Sequence, residues 1–280
     1  MQQHLLFHIV FLSQILVISY LVPSRIYGRM KYIFDTYPPS TYPKLYPRPV
    51  EHYEIGRRSF RNLNVAILVI GLLILAALIV VPHDNDLGNA ISVGFYFVQF
   101  IPLMILEFSS FKELKLMRNA GPRPTRKAEL RPRHLFDFIS PVFFGLAVFV
   151  YVVFVVIIVY MRQFDYEWFG GYTNIAGITI MNLIFAGIVL WNMYGKKQNP
   201  HQSYEDRDKQ IKSILKSFLF ISILATVFVL ISVVMSALEM RHFMPTAMSL
   251  YLQTIALACI QGYVIDYTNF DVYREDPIVT

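Results

Sequence analysis

The amino-acid sequence predicts an all-α protein: a polytopic transmembrane helical bundle of seven spans, with the amino terminus outside and the carboxyl terminus cytoplasmic. Length against bilayer thickness is the first reason. A helix needs roughly 20 mostly apolar residues to cross the hydrocarbon core. Residues 5–22, 63–81, 88–108, 138–161, 174–194, 215–238 and 244–265 meet that length. Composition is the second: 55% of residues are hydrophobic, 16% are charged and the mean hydropathy is +0.47, where a soluble domain carries about 25% charged residues. The third is an alternation of Lys and Arg among the gaps. Residues 25–61 hold eight, 82–87 none, 112–133 eight, Arg162 stands alone, 196–212 hold five and Arg241 is single. Short cytoplasmic loops carry the Lys/Arg excess, which places loops 23–62, 109–137 and 195–214 inside. The transmembrane domain is expected over 1–266 and a cytoplasmic tail over 267–280. Bilayer interiors offer the backbone no hydrogen-bond partners, so spans of this length are helices.

The first span reads as a retained helix. Its head, Met1 to Leu5, has no Lys or Arg, and the flank Pro23 to Arg29 carries two arginines without a small-x-small cleavage pattern. The loop that follows repeats Tyr-Pro at Tyr37-Pro38, Tyr42-Pro43 and Tyr46-Pro47. Proline fixes φ and biases its predecessor towards extended backbone, so this stretch is expected to be extended. Tyr37, Tyr42 and Tyr46 either dock a partner or lie along the face of their own bundle; no two prolines here have PxxP spacing, which favours the second reading. Glu51 to Asn64 is expected to begin a helix that enters the second span. Its Arg57, Arg58 and Arg61 sit at the membrane boundary as positive anchors or as contacts for acidic lipid headgroups.

The third span is the most informative. At about 100° per residue, Asn89, Ser92, Tyr96, Gln99 and Glu107 fall on one stripe, which should face protein or water rather than lipid. The fifth span places Thr179, Asn182 and Ala186 on a common side. In the sixth, Ser222, Ala225, Thr226, Ser232 and Ser236 form a small-residue side suited to close helix packing. The seventh repeats the polar theme with Thr246, Ser249, Gln253 and Gln261. Polar faces on two helices either line a solute path or act as hydrogen-bonded glue between helices; glue is the commoner use.

Chemistry-bearing motifs are sparse. The sequence contains no HExxH helix, no GxSxG turn and no Gly-rich phosphate loop. It holds one cysteine, Cys259, which excludes an intrachain disulfide and thiolate metal sites. His4, His8, His83 and His242 sort to the outer side, but their spacing does not specify a metal site, and no cofactor motif is present. Seven helices invite comparison with G-protein-coupled receptors, yet the third span ends in Glu107-Phe108-Ser109 without an acid-Arg-Tyr motif and the seventh lacks NPxxY. The net charge of +6 belongs mainly to membrane-facing loops, where it favours anionic lipid headgroups over nucleic acid. The expected function is therefore non-catalytic: a scaffold, sensor or accessory subunit of an assembly in a plasma or bacterial inner membrane, alone as a homo-oligomer or with a membrane-protein partner. The rival expectation is a small ion or solute transporter or channel using Asn89, Ser92, Tyr96, Gln99, Glu107, Gln253 and Gln261.

Overall fold

The computed structural model describes residues 2–81, 84–120, 133–195, 199, 201–264 and 269–274. They form α1 (Gln2–Leu16), a π turn (Val17–Leu21), α2 (Val22–Thr36), α3 (Val50–Val80), α4 (Asn85–Ala120), α5 (Leu135–Phe138), α6 (Pro141–Met161), α7 (Tyr172–Tyr194), α8 (Tyr204–Ala237) and α9 (Met244–Val264). Single 3-10 turns occur at Pro43–Leu45, Arg241–Phe243 and Phe270–Tyr273. Among these residues, six helices have the length and apolar composition to cross a membrane. The helix holding the seventh apolar stretch, α9, is not one of the six.

Several helices run past the apolar spans. The first does not end at residue 22 but continues to Thr36, so the first third of the expected 23–62 loop is helical. Pro23 stands at the start of α2 and has no N–H to donate to the preceding turn. The π turn lies just ahead of it, and the Val22 N–H reaches back five residues to the Val17 carbonyl. Pro38 and Pro39 follow the end of α2, where Tyr37 N–H still bonds the Ile33 carbonyl at 2.9 Å. Past its buried Pro102, α4 continues through the basic segment to Ala120. Likewise α3 starts at Val50, and α8 starts at Tyr204, well before residue 215. The Ser203 hydroxyl caps α8 by accepting the Asp206 N–H at 3.1 Å, with Glu205 and Asp206 in the first turn. Carboxylates there complement the positive end of the helix dipole.

Two helix groups share one seam. On one side α1, α3 and α4 bury Phe7, Phe11, Ile15, Ile67, Leu75 and Phe95 together. On the other, α6, α7 and α8 enclose Phe154, Ile158, Ile178, Ala225 and Val233. Between them α9 packs against α1 and α4 on one flank and α8 on the other. Close approach of α3 to its neighbours depends on Gly71. A Cβ built there would lie 2.6 Å from Phe95 Cζ and 3.1 Å from Ile15 Cγ1, and Phe95 is itself held edge-on to Phe11 at 5.9 Å.

The ends of α2 and α4 and the start of α3 and α8 gather at one end of the bundle, referred to below as the basic end. Met117 of α4 clusters there with Ile33, Tyr37, Tyr42, Phe270 and Tyr273. The short turn at 270–273 works as a clasp. Phe270 stacks on Tyr37 at 4.2 Å. The buried Asp206 carboxylate accepts the Asn269 N–H at 3.0 Å, and Asn199 donates to the Tyr273 hydroxyl. Replacing Asp206 by Ala removes both the cap-region charge and the anchor of the clasp. Amide hydrogen exchange at 270–273 should then rise at least tenfold while exchange in the middle of α8 is unchanged; equal protection in the variant and the wild type would contradict the assignment.

Candidate functional site

The polar stripe of α4 meets polar residues of α1 and α9 in the middle of the bundle. Gln14 is 0% exposed, Ser92 0%, Gln99 1%, Ser249 0% and Gln253 7%. Groups buried this deeply require partners, since an unpaired amide in an apolar setting costs several kcal/mol. The Gln14 amide N–H groups donate to the Ser92 carbonyl at 3.2 Å and to Gln99 Oε1 at 3.1 Å. Its Oε1 accepts the Ser249 hydroxyl at 2.6 Å. Gln99 in turn donates to the Ser19 hydroxyl at 2.8 Å and to the Gln14 carbonyl at 3.4 Å. On the α9 side, Gln253 donates to the Val10 carbonyl at 3.1 Å and to Ser249 at 3.4 Å, and accepts from Ser13 at 3.0 Å. Both donor N–H groups and the carbonyl of all three glutamines are therefore occupied. Gln99 and Gln253 are joined through Gln14 and Ser249.

Ser19 lies within the π turn, and the Gln99 amide nitrogen bonds both its hydroxyl and the Gln14 backbone carbonyl. Gln14, Ser13 and Ser19 are the members that sequence reasoning missed. The available signal was a Ser-Gln pair in the middle of an otherwise apolar span.

The remaining stripe residues have different surroundings. Tyr96 is buried in an apolar cluster with Ile18, Leu252 and Ala256, its ring 4.8 Å from Phe100. Asn89 is half-buried near the opposite end of α4. Glu107 is exposed and takes no part in the network. Taking Ser92, Tyr96, Gln99 and Leu103 as the buried line, Glu107 and Asn89 sit about 50° off its centre, at the margin of the stripe. The side chain of Gln261 lies outside the described residues, as do those of His4 and His83. Among the described residues no three His, Cys, Asp or Glu gather into a metal-sized group.

The tyrosines of the Tyr-Pro segment pack against the bundle. Besides its stack on Phe270, Tyr37 meets Tyr42 edge-on at 5.2 Å. Tyr46 stands edge-on to Phe34 at 5.9 Å and Tyr53 at 5.2 Å, and its hydroxyl donates to the Tyr37 carbonyl at 2.8 Å. Arg57 lies over the Phe34 ring at 5.0 Å and Arg61 over Tyr27 at 5.7 Å, while Arg58 is exposed. Glu113 fixes the start of α3 to α4: its carboxylate forms an ion pair with Arg48 Nε at 2.8 Å and accepts the Tyr53 hydroxyl at 2.8 Å.

Burial pushes the Tyr46 hydroxyl from 10.0 up to about 12, with the Arg57 charge opposing part of the rise. A raised pKa means that the neutral phenol is the form the folded state prefers. The associated stability is complete below pH 10, the unfolded value, and is lost as pH climbs through about 12. Phenolate absorbance should therefore show one ionisation delayed to near pH 12 in the wild type and missing in Tyr46→Phe; identical titration curves would count against the packed position.

An all-helical protein built from apolar helices, six of them long enough to span a bilayer, fits the class of integral membrane proteins. Comparison of the chain with protein-family models, curated proteins and solved structures finds no match.

Proposed function

We propose that this chain is a non-catalytic membrane subunit, a scaffold or accessory component that holds its basic end towards the cytoplasm for lipid and partner contacts. The observation that carries the reading is the saturated network at the bundle centre. Three buried glutamines bond both amide N–H groups and the carbonyl oxygen to each other and to groups of α1, α4 and α9, which supports a packing role over a solute path. The uncommitted charge is concentrated instead at the basic end, and the excess of Lys and Arg supports its cytoplasmic orientation. Glu107, the acidic group on which a transport reading would depend, is exposed and makes none of the network's bonds.

Chemical cross-linking in native membranes followed by purification tests this. The expected product is an adduct heavier than the 32.5 kDa chain, from a second copy or another membrane protein. Recovery of the monomer alone overturns the reading. So does ion or solute flux in reconstituted vesicles that falls in Glu107→Gln.

A further inference from the structure

Three lysines gather on the seam between the two helix groups. A cleft of about 830 Å³ opens between the start of α6, the basic end of α8 and the last turns of α9. Lys209, Lys212 and Lys216 line it from α8, at the spacing that puts side chains on one helix face. Ser140, Ser213 and Ser217 supply hydroxyls. Ser140 is also the residue before the first turn of α6, a 21-residue helix whose N-cap side chain makes no capping bond and whose N1 is Pro141. The N–H groups of Val142 and Phe143 are left to face this side, so the positive end of a long helix dipole adds to the lysine charges. No Asp or Glu lines the cleft. Among the described residues none pairs with the three ammonium groups: Asp208 is engaged by Arg133 at 3.5 Å and Asp206 holds the Asn269 N–H.

The floor has the opposite character. Phe143, Phe220, Leu257 and Ala258 form it, and Phe220 lies about 6 Å along α8 from Lys216 at 1.5 Å rise per residue. Cationic and hydroxyl groups thus stand at the helix end, with apolar surface one turn deeper, where Leu257 and Phe220 are 48% and 39% exposed. A soluble anion would use the first tier and leave the second bare. A lipid uses both.

We infer that this seam is a binding site for one anionic glycerophospholipid, its phosphodiester held by Lys209, Lys212 and Lys216 and its upper acyl segment on Phe220 and Leu257. The inference requires only that the bundle spans a bilayer, so it survives if the scaffold reading fails. Basic pockets between transmembrane helices recognise headgroups through the same combination of charge and depth.

Native mass spectrometry of the full chain, released from micelles titrated with phosphatidylglycerol or phosphatidylcholine, tests it. The wild type should retain one phosphatidylglycerol in preference to phosphatidylcholine. In Lys212→Gln/Lys216→Gln the phosphatidylglycerol affinity should weaken roughly ten- to thirtyfold, with phosphatidylcholine unchanged. The exposed pair Lys31→Gln/Lys112→Gln, on α2 and α4 and away from the cleft, is the control and should alter neither. Equal losses in the two variants overturn the site, because the effect is then bulk surface charge. Glycerol phosphate binding as tightly as the lipid also overturns it, in favour of a soluble anion. Binding that appears only once residues 275–280 are deleted would show that Glu275 and Asp276 occupy the lysines, and the proposal would fall.

Discussion

Gln14→Leu should destabilise the bundle by about 2–5 kcal/mol, the sum of three interhelical hydrogen bonds at roughly 0.6–1.7 kcal/mol each. Leucine matches the volume, so the loss isolates the amide rather than opening a cavity. What remains is costly: Gln99 Oε1 and the Ser249 hydroxyl lose partners supplied by a residue with no exposure. Thermal melting in mild detergent provides the measurement, and a variant as stable as the wild type would refute the role assigned to Gln14. A double-mutant cycle makes the test sharper. Adding Gln99→Leu to Gln14→Leu should cost far less than Gln99→Leu alone, since the two amides are one unit. Strict additivity would mean that they stabilise the fold separately.

Gly71→Leu is the second large effect, expected at about 3 kcal/mol or more because overpacking a filled core forces side chains off their rotamers. Even Ala at this position places its Cβ 2.6 Å from Phe95 Cζ, and should cost about 1 kcal/mol or more. Phe95 cannot swing aside cheaply: it is buried among Phe11, Ile15 and Leu75. Gly94 is the matched control, with nothing within 4 Å of a Cβ built there, so Gly94→Leu should be close to neutral. If both substitutions are tolerated alike, α3 does not approach α1 and α4 as closely as described.

The class of fold was legible because hydrocarbon imposes a length and a composition that few other constraints mimic. The polar stripe was legible too, since Ser92 and Gln99 obey the 100° rule along an unbroken stretch of α4, as Ser249 and Gln253 do along α9. What escaped was the partner helix. Gln14 is a single amide among apolar neighbours, and Ser19, five residues on, lies about 140° round a regular helix from it, inside a π turn that no regular periodicity reveals. Glu107 shows the opposite error, a residue admitted to a stripe whose centre it misses. The start of α3 at Val50 was legible within one residue, but the helix boundaries at Thr36 and Tyr204 were hidden for another reason: amphipathic, charged turns extend a spanning helix into water without any apolar signal to mark them.

The placement of α9 has a consequence for the making of this protein. Ser249 and Gln14 are partners 235 residues apart in the chain. α1 precedes α4 and α9 in the chain and thus enters the membrane carrying amide groups whose acceptors and donors have not been synthesised. Until α4 arrives it must solvate them with water, with lipid carbonyls or with an attendant protein, and until α9 arrives the Gln14 Oε1 stays unclaimed. A nascent chain stalled before α9 is therefore a well-inserted but chemically unfinished object, the kind of intermediate that membrane quality control is built to detect.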